Sequence, residues 1–364
     1  MSGARRMNVA VLMGGPTPEH EVSIQTGRIV ANALDRSRYN VKPVEITRSG
    51  EWRIPAGYLP ADGPPLPLEP GSRVDMVPEE ALPPARASSS LACAADGPVD
   101  VVFIAMHGPY GEDGTVQGML EVLGIPYTGS GVLASALAMH KVRTGQVLRH
   151  YGLVMPACCC LSRGRFQQDP SSCVAQALGR PGVPCVVKPV SQGSSVATTI
   201  CHAREELAAA LELAFQVDTE VMVEECIEGT ELTCGVVERP DGTGNLALPL
   251  IEIVPKTSAF FDYEAKYTPG ATDEICPARV PDDVAAEVQR QSLTAHETLG
   301  CSGFSRSDFI LRDGRLYFLE INTIPGMTQT SLLPQAAAKA GVGFPTLLDN
   351  AIQCALRRHR ERLG

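Results

Sequence analysis

The order of apolar and polar positions predicts a chain of alternating strands and helices. The unbroken apolar run MNVAVLMGG, at 7–15, predicts a buried strand, and the spacing of apolar residues over 17–34 predicts the helix that follows it. A second apolar run, VDVVFIAMHG at 99–108, is typical of parallel sheets that are covered on both faces. A helix over 114–124 and a strand over 125–129 continue the alternation. The pattern predicts an α/β fold for this part of the chain.

The middle of the chain continues in the same way. Its pattern predicts a helix, two short strands, an amphipathic helix and a further strand, at 132–153, 185–190, 197–203, 203–216 and 220–227. The polar sequence SQGSSV joins the two short strands. Strands and helices thus alternate in this part of the chain as well.

In the last third of the chain the apolar pattern predicts four strands and a C-terminal helix. They lie at 232–237, 246–253, 304–312, 315–322 and 346–363. The Asp-Gly turn inside RDGR separates the last two strands, so we expect them to form an antiparallel hairpin.

The length of the chain indicates its number of domains, and its net charge excludes some classes of function. A chain of 364 residues favours two or three domains, and its 44% hydrophobic content is that of an ordinary globular protein. The net charge of −10 argues against a nucleic-acid surface as the main function. Residues 55–98 are rich in Pro, Gly, Ser and Ala, which predicts an irregular excursion on the first domain.

The cysteines and the apolar segments favour a cytosolic protein. The 12 cysteines are scattered without a CxxC pair, and three of them form the run at 158–160, so we expect free thiols in a reducing compartment. The apolar run after Arg5 and Arg6 is short and ends at Gly-Gly-Pro, which favours a first strand over a signal peptide. No apolar stretch is long enough to span a membrane.

The C-terminal hairpin carries a candidate metal site. Glu320 and Asn322 are two positions apart on a strand, so they share a face, and Asp308 on the partner strand can reach the same face. Two carboxylates and an amide oxygen suit Mg²⁺, which completes its shell with water and phosphate oxygens. The alternative is an ordinary solvated sheet face, although the neighbouring positions in the strand are apolar.

Two further segments offer groups for a nucleotide. Lys188 ends a strand before a Gly-Ser-Ser loop, which supplies an ammonium and several backbone N–H donors, yet the chain has no Walker sequence and such loops are often plain turns. Glu224 and Glu231 could meet the amine and ribose of a nucleotide, or could be surface charges. GSGVLA, at 129–134, matches the dinucleotide fingerprint but lacks the acid about twenty residues later, so we interpret it as a strand-to-helix turn.

Taken together, these segments resemble a known family. AVLMGGPTPEHEVS, HGPYGEDGTVQGMLEVLGIPYTGSG, VVKPVSQGSSV, DYEAKYT, RSD and LEINTIPGMT occur in the order found in D-alanine–D-alanine ligases of the ATP-grasp superfamily. The resemblance extends from about residue 7 to the C-terminal helix. It implies an α/β (α+β) three-domain ATP-grasp fold: an N-terminal parallel-sheet domain, 1–140, and two domains, 141–224 and 225–364, that clamp ATP between antiparallel sheets.

The resemblance also implies roles in binding ATP. Lys141 and Lys188 would contact the phosphates, and Glu224 and Glu231 would face adenine and ribose. The ATP-binding residues would be Lys141, Lys188, Glu224, Ile227 and Glu231. Two Mg²⁺ or Mn²⁺ ions bridging the phosphates would be held by Asp308, Glu320 and Asn322.

The remaining roles concern the two D-alanine substrates. Arg306 and the backbone N–H of Gly326 would hold the tetrahedral intermediate and the transferring phosphate. For the first D-alanine, Glu19 would pair with the ammonium and His107 would lie beside it. A hydrogen-bonded set that closes a loop over the site would comprise Ser194, Tyr267 and Glu19. The carboxylate of the second D-alanine would be received by Lys266 and Ser331.

The resemblance leaves two alternative functions open, and the sequence departs from the family's motifs at three positions. Relatives join D-alanine to D-lactate or D-serine, although Tyr267 favours the dipeptide-forming type. A non-catalytic nucleotide-binding homologue is the other alternative, and the intact Arg306 argues against it. The family's SSVG is here SSVA, ending at Ala197, with Gln192 where an acid is common and Cys226 where a larger residue is common. We expect a cytoplasmic enzyme that acts on D-alanine and ATP, binds neither nucleic acid nor membrane, and forms a homodimer.

Overall fold

The computed structural model describes residues 5–55, 57–68, 80–82, 97–256 and 272–364. Lys266 and Tyr267, with the DYEAKYT motif, lie outside the described residues, as does much of the Pro-rich excursion. Three sheets organise the described part of the chain.

The first sheet has five strands in the order β4-β3-β2-β1-β5. The strands are β1 (Met7–Gly14), β2 (Tyr39–Ile46), β3 (Trp52–Ile54), β4 (Glu80–Leu82) and β5 (Val101–Ile104). The helices α1 (His20–Ala33) and α2 (Thr115–Val122) belong to the same region. Strand β1 runs parallel to β2 and β5, whereas β3 and β4 pair antiparallel at one edge. The α/β expectation is confirmed for this region.

The strand predicted at 125–129 is wrong, because this segment makes only an isolated parallel bridge, between Val102 and Tyr127. Pro126 has no N–H to donate to a ladder, and Gly129 takes a φ of +83°, which turns the chain into the next helix.

The helix predicted over 132–153 is two helices, α3 (Val132–Met139) and α4 (Lys141–His150). They separate at His140, whose φ of −90° and ψ of 88° are not helical. The ring Nδ1 of His140 then accepts a hydrogen bond from the backbone N–H of Arg143, at 3.4 Å, and caps α4. The break makes Lys141 the first residue of α4.

The central sheet has four antiparallel strands in the order β6-β9-β7-β8. They are β6 (Cys158–Ser162), β7 (Cys185–Pro189), β8 (Thr199–Cys201) and β9 (Glu220–Glu225). Its helices are α5 (Arg163–Gln168), α6 (Pro170–Gly179) and α7 (Leu207–Val217). The run of three cysteines forms the edge strand β6, which the apolar pattern did not predict.

The third sheet has six strands, in the order β13-β12-β10-β14-β15 with β11 also paired to β10. They are β10 (Thr230–Glu238), β11 (Asn245–Ala247), β12 (Ile251–Pro255), β13 (Thr272–Ile275), β14 (Phe304–Arg312) and β15 (Arg315–Asn322). Its helices are α8 (Asp282–Leu299), α9 (Leu332–Lys339) and α10 (Phe344–Leu363). The predicted β14–β15 hairpin is confirmed. The strand predicted at 246–253 is divided by Pro249, which lacks a ladder donor, into β11 and β12.

The apolar cores show which parts pack together. One core joins the first sheet to the third region, since Val11 and Phe103 belong to the same cluster as Leu333 and Leu348. The core of the central sheet is a separate cluster. Leu148 of α4 packs with the third sheet. Among the helices within the described ranges, none combines the length and apolar character that a membrane span needs.

Candidate active site

A cavity of about 320 Å³ lies between the central sheet and the third sheet. Eight residues that the sequence analysis selected line it: Lys141, Lys188, Ser194, Glu224, Ile227, Glu231, Asp308 and Glu320. The structure therefore brings together residues that are up to 179 positions apart in the chain (Lys141 to Glu320).

The β14–β15 hairpin presents four predicted residues on one face. Asp308 is the direct cross-strand partner of Glu320, and Arg306 is the partner of Asn322. Because side chains two positions apart on a strand share a face, these two pairs form one polar patch. Glu320, Asn322 and Asp308 therefore lie together on this face, and the metal site itself stays a prediction.

The Asp308 carboxylate is fully engaged by hydrogen bonds. Arg306 donates to it from Nε at 3.0 Å and from a terminal nitrogen at 2.9 Å. Thr233 donates its hydroxyl at 2.6 Å, and the Asn322 amide nitrogen lies at 3.3 Å. Burial disfavours the charged guanidinium of Arg306, but the adjacent Asp308 carboxylate outweighs this effect and raises the pKa of Arg306. Arg306 is therefore a fixed cation at the edge of the cavity.

The two lysines are held by carboxylates that line the same cavity. Lys188 forms an ion pair with Glu224 at 2.5 Å, and both side chains are about nine-tenths buried. Burial lowers the pKa of Lys188, but the charge of Glu224 outweighs burial, so this pKa lies above its ordinary value. Lys141 lies 3.4 Å from Glu320 and donates to the backbone oxygen of Gln192 at 2.7 Å. Lys141 thus joins the hairpin face to the Gly-Ser loop.

The loop after β7 closes the cavity on one side. The Ser194 hydroxyl donates a hydrogen bond to the Glu19 carboxylate, which comes from the start of α1. Ser194, Ser195 and Ala197 all take positive φ angles, of 48°, 55° and 53°. The alanine that departs from the family's SSVG sequence is therefore in a conformation that favours glycine.

Glu19 lies between two glycines from different regions. A Cβ on Gly193 would approach Oε2 of Glu19 to 2.9 Å, and a Cβ on Gly108 would overlap the same oxygen. The Gly-Ser loop and the turn after β5 therefore both pack against this carboxylate with their backbones. Glu19 is itself only 6% exposed, so its carboxylate is packed between these two backbone segments.

His107 connects the first region with the end of β15. Its Nδ1–H donates to the backbone oxygen of Ile324 at 3.0 Å, and its Nε2 lies 3.0 Å from the Thr26 hydroxyl. Glu112 lies 3.6 Å from Nδ1. Burial lowers the pKa of His107, but the hydrogen bond and charge of Glu112 outweigh burial and raise it.

Gly326 and Ser331 form a compact turn just after β15. A Cβ on Gly326 would lie 2.8 Å from the Ser331 hydroxyl oxygen, so a side chain at this position would have to displace that hydroxyl. The same hydroxyl accepts a hydrogen bond from the Thr328 backbone N–H at 3.1 Å. Ser331 directly precedes α9. The His107 ring contacts the backbone of Ile324, two residues before Gly326, so the turn begins next to the segment that follows β5.

Comparisons with known proteins agree over nearly the whole chain. The family models "D-ala D-ala ligase N-terminus" and "D-ala D-ala ligase C-terminus" match residues 8–130 and 147–353. The D-alanine--D-alanine ligase of Syntrophobacter fumaroxidans is 43% identical over 353 residues, covering 96% of this chain and 98% of that protein. The chain belongs to the D-alanine–D-alanine ligase family.

Solved structures of D-alanine ligases match the fold. The VanG D-Ala:D-Ser ligase of Enterococcus faecalis has a TM-score of 0.80 at 33% identity, covering 96% of this chain and all of that one. The Bacillus anthracis D-alanine--D-alanine ligase complexed with ATP has a TM-score of 0.73 at 31% identity, covering 98% and 99%. The predicted ATP-grasp fold is confirmed.

Two residues of this ligase site were not selected from the sequence. Glu112 contacts His107 and accepts a hydrogen bond from the Gly108 backbone N–H at 3.1 Å. Thr233 donates to Asp308 from the neighbouring strand β10. In the sequence, Glu112 stands out only as an acid inside a glycine-rich turn after a strand. Thr233 does not stand out at all, because its contact with Asp308 depends on how β10 pairs with β14.

The hairpin face offers two carboxylates and one amide oxygen, which are ligand types that suit Mg²⁺. Among the described residues, no three His, Cys, Asp or Glu side chains are grouped so that they could hold a metal ion. Asp308 and Glu320 supply two carboxylates with Asn322 beside them, so other oxygens must complete a shell. Both carboxylates contact cations, Arg306 and Lys141, so a bound metal ion would compete with these side chains.

Proposed function

We propose that this ligase joins two D-alanine molecules into D-alanyl-D-alanine at the expense of ATP, for peptidoglycan precursor synthesis. The carboxylate of the first D-alanine attacks the γ-phosphorus of ATP, which forms an acyl phosphate and releases ADP. The amine of the second D-alanine then attacks the acyl carbon, and phosphate leaves. The observation that carries the proposal is one cavity between two antiparallel sheets, where Ser194 of the lining is hydrogen-bonded to Glu19.

ATP is proposed to occupy the cavity. Lys141 and Lys188 supply the positive charge for the phosphates, and the loop around Ser194 supplies backbone N–H donors. Glu224, Ile227 and Glu231 line the same cavity and receive adenine and ribose, with Ile227 as an apolar wall that is 7% exposed. Because Lys188 and Glu224 are already paired, nucleotide binding must rearrange or share this ion pair.

Two Mg²⁺ or Mn²⁺ ions are proposed at the hairpin face, held by Asp308, Glu320 and Asn322 together with phosphate oxygens. When bound, they neutralise charge on the ATP phosphates. Arg306 remains beside this face because it is anchored on the same strand, two residues from Asp308.

The remaining proposed roles act on the amino acids. Glu19 binds the ammonium of the first D-alanine, with His107 adjacent. Arg306 and the Gly326 N–H hold the negative charge of the acyl phosphate and of the tetrahedral intermediate. Ser194, Tyr267 and Glu19 close the loop over the site. The second carboxylate is bound by Ser331 and Lys266.

The proposed organisation keeps the three domains predicted above, 1–140, 141–224 and 225–364, and a cytoplasmic homodimer. The separate core of the central sheet supports a central domain distinct from the rest. Sedimentation of the purified chain tests the dimer.

The decisive experiment measures phosphate release from ATP with D-alanine, L-alanine and D-lactate in parallel, with D-serine as a fourth substrate. We expect release with D-alanine, with one dipeptide per phosphate, and none with L-alanine. Absence of release with D-alanine, despite ATP binding, would indicate a non-catalytic nucleotide-binding protein. A preference for D-lactate over D-alanine as the second substrate at neutral pH would indicate a depsipeptide ligase instead.

A further inference from the structure

His140 lies at the break between α3 and α4, directly before Lys141. Its two ring nitrogens make different contacts: Nδ1 accepts from the Arg143 backbone N–H at 3.4 Å, and Nε2 lies 3.2 Å from the Glu220 carboxylate. Because a ring nitrogen that accepts carries no proton, the proton of the neutral ring is on Nε2, which donates to Glu220. One ring therefore caps α4 from one edge and binds the start of β9 from the other.

The hydrogen bond between His140 and Glu220 joins two parts of the molecule. Glu220 is the first residue of β9 in the central sheet, whereas Leu148, later in α4, packs in the core of the third sheet. The two side chains are partly buried, at 24% and 44% exposed. The other carboxylate oxygen of Glu220 accepts from the Cys160 thiol at 3.7 Å, so this carboxylate is held from two sides.

Backbone hydrogen bonds connect the same segments. The Lys141 N–H donates to the Val190 oxygen at 3.2 Å, and the Val190 N–H donates to the Glu220 oxygen at 3.1 Å. The Gly-Ser loop begins at the next residue, and the Ser191 N–H donates to the Asp218 carboxylate at 2.7 Å. The start of α4, the start of the loop and the start of β9 therefore meet at one point.

The side chain of Lys141 extends from this point into the cavity. It is 10% exposed, and its ammonium lies 2.7 Å from the backbone oxygen of Gln192 and 3.4 Å from the Glu320 carboxylate. The place of this ammonium therefore depends on where α4 begins relative to the central sheet. The attraction between an ammonium and a phosphate falls as the distance between them grows, so a displaced Lys141 would bind ATP less tightly.

We propose that the His140–Glu220 hydrogen bond is a positioning contact for Lys141: it holds the start of α4 against the central sheet and so keeps the ammonium where the ATP phosphates bind. The inference rests on the proposed function, in which Lys141 contacts these phosphates, and adds two residues to it. Neither added side chain is among the described residues that line the cavity, so both act through Lys141.

Three variants separate the two contacts of the ring. His140→Asn places an amide oxygen near the position of Nδ1, so it keeps an N-cap acceptor and loses the contact with Glu220. His140→Gln places an amide nitrogen near the position of Nε2, so it keeps a donor for Glu220 and loses the cap. Glu220→Ala removes the contact and leaves the cap.

The measurement is the dissociation constant of ATP with Mg²⁺ and without D-alanine, from calorimetric titration of the full chain. We expect His140→Asn and Glu220→Ala each to raise it about fivefold, the effect of one net hydrogen bond. The double variant should be no worse than the larger single effect, because both substitutions remove the same contact. His140→Gln should stay within about twofold, although its melting temperature should fall through the loss of the cap.

Steady-state rates test the same assignment during turnover. The Michaelis constant for ATP should follow the dissociation constant in every variant, whereas the two D-alanine constants should stay within about twofold, since the proposed amino-acid groups lie on other segments. His202→Asn and Glu212→Ala, both at exposed positions, are the matched controls and should change none of these constants.

Three results would overturn the inference: an unchanged ATP dissociation constant in both His140→Asn and Glu220→Ala, additive effects in the double variant, or a rise in His140→Gln equal to that in His140→Asn. A wild-type chain that binds no ATP, or that forms no dipeptide, would instead reject the proposed function. The wild-type measurements therefore distinguish the two failures.

Discussion

The guanidinium of Arg306 forms a two-point ion pair with the carboxylate of Asp308, two residues along the same strand. The two proposed roles of these residues, binding the reaction intermediate and binding metal, therefore depend on each other. A divalent cation that binds Asp308 must share or displace Arg306, and the displaced guanidinium would remain on the hairpin face, next to the position proposed for the phosphates. The pairing also keeps Asp308 from being an uncompensated buried charge when no metal ion is bound.

Arg306→Ala should lower turnover by a factor of about 10²–10³ or more, by analogy with removal of one oxyanion-binding donor. Arg306→Lys keeps the charge but lacks the planar fork, and we expect it to recover only part of the loss. Steady-state phosphate release measures both, with Arg360→Ala at an exposed position of α10 as the control. A wild-type rate in Arg306→Ala would remove the residue from the proposed mechanism.

Glu320→Gln should raise the Mg²⁺ concentration required for half-maximal activity at least about tenfold, because the amide is a weaker ligand than the carboxylate. The measurement is an activity titration with Mg²⁺ at saturating ATP and D-alanine. Glu212→Gln on α7 serves as the control. If the two variants gave the same titration curve, Glu320 would not be a metal ligand.

Ala197→Gly should stabilise the ligand-free protein. The φ of +53° costs an alanine about 1–2 kcal/mol, and the added freedom of glycine in the unfolded chain offsets part of that gain. We expect a net gain of about 0.5–1 kcal/mol, seen as a higher melting temperature. Ala209→Gly, at an exposed position inside α7, is the control, because glycine in a helix interior should destabilise. Equal effects at the two sites would contradict this reasoning.

His107 should make stability fall as pH rises above its ordinary pKa of 6.5. Its folded-state pKa is raised by Glu112 against burial, so the folded protein binds the proton more tightly than the unfolded chain. The stabilisation is complete below pH 6.5 and is lost as pH rises through the raised pKa. Denaturant unfolding across this window should show the slope in the wild type and a smaller slope in Glu112→Gln. A slope unchanged by that substitution would contradict the assignment.

The spacing of apolar residues predicted most strands, because the buried face of a strand or helix is made by apolar residues of that same segment. The parallel run at β5 and the β14–β15 hairpin are examples. It failed where one residue interrupts a segment. Pro249 divides a predicted strand, and His140 divides a predicted helix, since a missing donor or a capping side chain outweighs the apolar pattern.

Two features could be predicted without the structure: the order of motifs supplied the family resemblance that implies the reaction class, and strand alternation placed Glu320 and Asn322 on one face. Neither depends on a contact between distant residues. Tertiary structure alone decided that Asp308 is satisfied by Arg306 and Thr233, that Lys188 is paired with Glu224, and that Ser194 meets Glu19. It also revealed that Ala197 is in a glycine-favouring conformation. The contacts of Asp308 with Thr233 and of Lys188 with Glu224 depend on strand pairing within one sheet, and the contact of Ser194 with Glu19 depends on how the Gly-Ser loop packs against the start of α1. The apolar pattern along the chain carries no signal of either.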